Sequence, residues 1–154
     1  MKSMIALVAA TLIAGVILAP QALAQRGPRW KGSGGWGPGN EYGRLYNPRA
    51  VATNTGEVIA AERITPMKGM CYGIHIKLIT ETETLLVHLG PGWFIENQDV
   101  EFNPKDKVEV VGSRIMLDGK PAIIASEVGK GDELLKLRDE NGFPVWAGWR
   151  KGTR

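Results

Sequence analysis

The stretch Tyr72-Gly73-Ile74-His75-Ile76-Lys77-Leu78-Ile79-Thr80-Glu81-Thr82-Glu83-Thr84-Leu85-Leu86-Val87-His88-Leu89 decides how this chain folds. Its two arms, Tyr72 to Ile79 and Thr84 to Leu89, alternate apolar and polar residues with a period of two. That is the pattern of strands with one buried face, and the polar break Thr80 to Glu83 makes them a hairpin. A turn centred between Glu81 and Thr82 sets Ile74 against Leu89, Ile76 against Val87 and Leu78 against Leu85 on the buried side. The same register puts His75 across from His88 on the other side, and these are the chain's only two histidines.

Working outward, Gly56 to Ile64 reads as a first strand, bent around the small pair Ala60-Ala61, and 65–71 as a loop into the hairpin. Gly90-Pro91-Gly92 ends the third strand, and Trp93-Phe94-Ile95 opens a short apolar connector, helical or not, running to about Gln98. Asn103-Pro104-Lys105-Asp106 is a turn into a long fourth strand, Lys107 to Leu117. Val108 and Val110 share a face there, but Ile115 and Leu117 continue it only if the parity shifts by one. Gly112 lies where the shift must fall, which predicts a β-bulge. Asp118-Gly119 then signals a tight hairpin back through Pro121 to Val128. Five strands in this order, with a connector between the third and fourth, predict an all-β, OB-fold-like barrel over 49–130; an SH3-like barrel is the alternative.

The ends are of different character. Lys2, the apolar run Met4 to Ala19 and the Ala22-Leu23-Ala24 exit predict a signal peptide over 1–24, cleaved to give a periplasmic or secreted protein that does not span the membrane. The single cysteine, Cys71, cannot form an internal disulfide there. With Lys2 removed the formal charge falls from +3 to +2, too small to signal a polyanionic partner. Residues 25–48 are rich in glycine and lack a long apolar period, which predicts a flexible arm. It interleaves Trp30, Trp36, Tyr42 and Tyr46 with basic residues, so its rings either fold back on the barrel or dock on a partner. Residues 131–154 read as a hairpin around Asn141-Gly142, or a short helix from Asp132, with a Trp/Arg-rich end.

Gly56-Glu57-Val58, the central hairpin, Trp93 and Asn103 to Val110 with Gly112 beyond resemble the small periplasmic OB-fold proteins of bacteria, some linked to stress tolerance. The resemblance covers about Gly56 to Val128 and implies a binding module without catalytic residues. The layout is also similar to the periplasmic haem chaperone of cytochrome c maturation, but Arg138 stands where that family needs its haem-attaching histidine.

No nucleophile–base set, phosphate-cradling glycine loop or CxxC motif is spaced for chemistry, so the chain reads as a non-enzyme. Three binding readings follow. Directly opposed imidazoles at His75 and His88, with Met70 and Cys71 in the loop before them, suit copper or zinc, although no third ligand is evident. The barrel face and its loops would offer a ligand Arg63, Lys68, Lys77, Trp93 and Lys120; nucleic acid is disfavoured because the hairpin's outward residues include no aromatic. Lastly, Trp30, Trp36, Tyr42, Trp146 and Trp149 would anchor an exported protein partner, as aromatics do at interfaces.

Overall fold

A computed structural model describes residues 33–147, so the expected signal peptide, Trp30 and Trp149 lie outside the described residues. Among the described residues there are six strands: β1 (Val51–Ile64), β2 (Gly73–Ile79), β3 (Thr84–Pro91), β4 (Lys107–Leu117), β5 (Lys120–Lys130) and β6 (Glu133–Lys136). One short helix, α1 (Gly92–Ile95), follows β3. No helix among the described residues is long and apolar enough to cross a membrane.

The strands join in the order β3-β2-β1-β4-β5-β6, and β3 also pairs with β5. That last pairing is parallel (Leu86 to Ala122, Val87 to Ile123, His88 to Ile124), and it closes β1-β2-β3-β5-β4 into a barrel-like ring. The expected five-stranded ring with a connector between its third and fourth strands is therefore present. β6 is an addition: it lies along the part of β5 that β3 leaves uncovered, from Glu127 to Lys130.

Ring closure depends on two bent strands. β1 starts earlier than the glycine at 56 suggests, and its fourteen residues serve two partners. Val51 to Glu57 pair with β4, and Glu57 to Ile64 pair with β2, with the register slipping between Val58 and Ala60. The bend falls beside the Ala60-Ala61 pair. In β4 and β5 the slip comes at Val111/Gly112, opposite Ser126, the extra residue. A side chain at Gly112 would start 2.5 Å from the Ile124 carbonyl oxygen, so only glycine lets the strands approach here. The Asp118-Gly119 turn has φ of 50° and 74°, the left-handed pair that a two-residue hairpin needs.

The ring interior is filled by Val58, Ile76, Leu78, Leu85, Val87, Val110, Ile123 and Val128, all nearly inaccessible. The β2–β3 register agrees with the expected pairing at His75–His88, Ile76–Val87 and Leu78–Leu85. It departs at Ile74, which faces Gly90 and not Leu89, because Leu89 is bulged out of the ladder. The other departure matters more for function: the face of the hairpin carrying the histidines is not solvent-facing, since His75 and His88 are 7% and 1% exposed.

Candidate functional site

Residues 33–50 cover that face. Asn40 accepts a hydrogen bond from Gly43 N at 2.7 Å and caps a short turn, Gly43–Leu45. Asn47 likewise accepts from Arg49 N, while its own N–H donates to Ser113 Oγ of β4 at 2.9 Å. The arm is thus pinned to the ring at its C-terminal end. At the other end Gly34 and Gly35 lie against Cys71 and Met70, and Trp36 lies across Gly73 so closely that a Cβ there would start 2.3 Å from its ring. Trp36 Nε1 donates to the Cys71 carbonyl (3.0 Å), and Trp146 Nε1 donates to the Trp36 carbonyl (2.8 Å).

Tyr42 lands on His88. Its hydroxyl is 3.0 Å from His88 Nδ1, and the two rings stack with centroids 5.9 Å apart. Burial raises the Tyr42 phenol well above its ordinary range, so the hydroxyl stays protonated and donates. His88 is pushed down to about 4, first by burial and second by the neighbouring His75, so it is neutral near pH 7. With Nδ1 accepting, the ring proton of His88 sits on Nε2.

His75 stacks beside His88 with centroids 6.2 Å apart and sends Nε2 outward to Glu62 Oε2 at 3.1 Å. Glu62 lies below its ordinary carboxylate range, held there by the His75 bond and then by Lys77. As a carboxylate it accepts from Nε2–H, and His75 Nδ1 is buried with no hydrogen-bond partner. A polar row therefore runs from Lys77 and Glu62 at the surface through His75 and His88 to Tyr42 beneath the arm.

The sequence-derived metal set does not converge. The imidazoles lie face to face and do not point at a common centre, and each commits one nitrogen to a neighbour. Cys71 is exposed, and Met70 packs under Gly35. Among the described residues no three His, Cys, Asp or Glu side chains gather as metal ligands. The ligand-binding set is also dispersed. Arg63 bonds Glu96 Oε1 at 3.0 Å and stacks on Tyr72, while Lys77 bonds Glu62. Trp93 is half-buried in α1, and Lys68 and Lys120 are exposed in separate segments, one before β2 and one opening β5. Trp36, Tyr42 and Trp146, offered as partner anchors, are at most 2% exposed and form one edge-on cluster.

Sequence reasoning missed two contributors. Glu62 looked like one more charge on a strand, and its place beside His75 shows only once β1 and β2 pair, Glu62 opposite His75. Arg138, buried at 6% exposure near Tyr46 and Trp146, carried no sequence signal beyond its apolar neighbour Leu137.

Fold and site together define a small barrel-like β domain that is capped by its own aromatic arm and holds a buried histidine pair. Residues 50–135, more than half of the chain, match the MamS/MamX magnetosome protein family, and the protein belongs to that family. No curated protein and no solved structure matches the chain. The match overturns the resemblance to stress-linked periplasmic OB-fold proteins. The motifs behind that resemblance are short and structural: a strand opening, an apolar plug and a turn into the fourth strand recur wherever a ring of this kind must close.

Proposed function

We propose that this protein is an exported, non-catalytic accessory module in magnetosome formation, with a rigid β ring that holds a protein partner or a small ligand. The observation that carries this reading is the engagement of both histidines. His88 is tied to Tyr42, a phenol that burial keeps protonated, and His75 to Glu62, so each ring's hydrogen bond goes to a neighbour inside the fold. The buried serine hydroxyls are likewise spent on backbone: Ser113 Oγ accepts from Asn47 N, and Ser126 Oγ donates to the Val111 carbonyl. Export rests on the N-terminal 24 residues, whose charge, apolar run and small-residue exit fit a signal peptide.

The test is gene replacement in a magnetosome-forming cell, with crystal number and size measured by electron microscopy and the protein followed by fractionation. Loss of the gene is expected to disturb the magnetosomes. A folded His75→Gln variant, which keeps a polar group near Glu62, is expected to restore them. Normal magnetosomes without the gene would overturn the accessory role. A folded but inactive His75→Gln protein would overturn the non-catalytic reading.

A further inference from the structure

We propose that Arg138 anchors a binding site for a carboxylate carried on an apolar body. Arg138 lies two residues past β6 and is only 6% exposed. Its guanidinium carbon lies 5.1 Å from the ring centre of Trp146 and 5.7 Å from that of Tyr46. Nη1 donates to the Gly142 carbonyl at 2.9 Å, and Nε is buried with no hydrogen-bond partner. A guanidinium has five donors, stays protonated in proteins and is costly to bury without an anion. Yet none of the ion pairs among the described residues includes Arg138.

The adjacent acid does not fill the gap. Asp139 Oδ1 accepts from Asn141 N (2.9 Å) and Phe143 N (2.8 Å), which commits it to the turn that Gly142 completes. That turn is locked: Gly142 has φ of 82°, and a Cβ on it would start 2.3 Å from the Tyr46 ring. The carbonyl holding Arg138 is therefore fixed in place, and the guanidinium is preorganised.

Arg138 lines two clefts of opposite character. The larger, about 440 Å³, also presents Glu127, Asp139 and Glu140, which outnumber its other cation, Lys136, and disfavour an anion. The smaller, about 190 Å³, has no carboxylate in its wall and is lined by Pro38, Gly39, Phe143 and Pro144. At roughly 30 Å³ per water molecule this second cleft holds about six waters, room for a carboxylate on a ring or short apolar side chain. Phe143, half exposed, forms its rim. Arg138 would supply the charge-assisted bonds and the prolines and Phe143 the apolar contact. A free organic acid and the terminal carboxylate of a partner polypeptide share this chemistry.

The experiment uses the full chain labelled with ¹⁵N, following the Nε–Hε resonance of Arg138 assigned through its own backbone. Benzoate is expected to shift that resonance saturably, and neutral benzamide to leave it in place. Phe143→Ala, a change at an exposed ring that leaves the core intact, is expected to weaken benzoate by about threefold or more. A dipeptide ending in phenylalanine with a free C-terminus, compared with its amide, tells the two sources apart. Tighter binding of the free-acid peptide than of benzoate assigns the site to a polypeptide end, and the reverse to a small acid. No saturable shift with benzoate, or an equal shift with benzamide, would overturn the site. Because it reads binding alone, that failure would leave the magnetosome role standing.

Discussion

The buried histidine of β3 should make stability fall with acid in a window of its own. His88 is 1% exposed and is pushed down to about 4, against an ordinary 6.5 in the unfolded chain. The folded state therefore takes up a proton less readily than the unfolded state. Between pH 6.5 and about 4 the unfolded chain holds more protons, so stability rises with pH across this interval. The contribution is complete above pH 6.5 and is lost as pH falls toward the folded value. A separation of about 2.5 units at 1.36 kcal/mol each comes to roughly 3 kcal/mol, with a slope approaching about 1.4 kcal/mol per pH unit. The carboxylates held low by their partners, Glu62, Glu83 and Asp106, lose their contribution below the ordinary carboxylate range and so act at the acid end. Urea unfolding at half-unit steps from pH 7.5 to 4 measures the slope. His88→Asn keeps an acceptor near the position of Nδ1 for Tyr42 but cannot titrate; it should be less stable at pH 7 and should lose the slope between pH 6.5 and 4.5. An equal slope in wild type and His88→Asn would refute the assignment of this acid sensitivity to His88.

Tyr42→Phe removes the hydroxyl and leaves His88 Nδ1 buried without a donor; the expected loss is about 1–3 kcal/mol at pH 7, read by urea unfolding. Gly142→Ala and Gly119→Ala form a matched pair, since both glycines have positive φ but only Gly142 has a ring where the Cβ would go. Gly119→Ala should cost about 1–2 kcal/mol from backbone strain alone, and Gly142→Ala more than that, visible as a larger drop in Tm. Calorimetric titration with Cu(I), Cu(II) or Zn(II) should give no stoichiometric heat that His75→Ala abolishes, because the two imidazoles face each other and are bonded elsewhere. Glu83→Gln breaks the exposed pair with Arg114 and should change stability by less than about 1 kcal/mol.

Much of the ring was legible in the residues. The hairpin from 72 to 89, its His75–His88 register, the register slip at Gly112, the Asp118-Gly119 turn and the apolar plug after the third strand all follow from local patterns. The reason is physical: period-two alternation marks the face that must leave water, and a turn or bulge is set by the few residues that tolerate its φ. The same alternation cannot say what covers the opposite face. That decision belongs to contacts across long stretches of chain, such as Tyr42 on His88 and Trp146 on Trp36, 46 and 110 residues apart.

In the arm, composition speaks only for chain entropy and leaves open where the rings go; within residues 33–48, Gly34, Gly35 and, across from them, Gly73 are the places where backbone comes close enough for Trp36 and Tyr42 to bury. Likewise Arg138 reads in sequence as one charge beside a leucine. Only the fold brings Tyr46 and Trp146 around it and turns Asp139 away, which makes an ordinary residue a buried cation with donors to spare. Local periodicity determined which strands form and how neighbours pair. The burial and charge state of the groups between them were decided by distant segments, because desolvation depends on everything that packs around a group and not on its place in the chain.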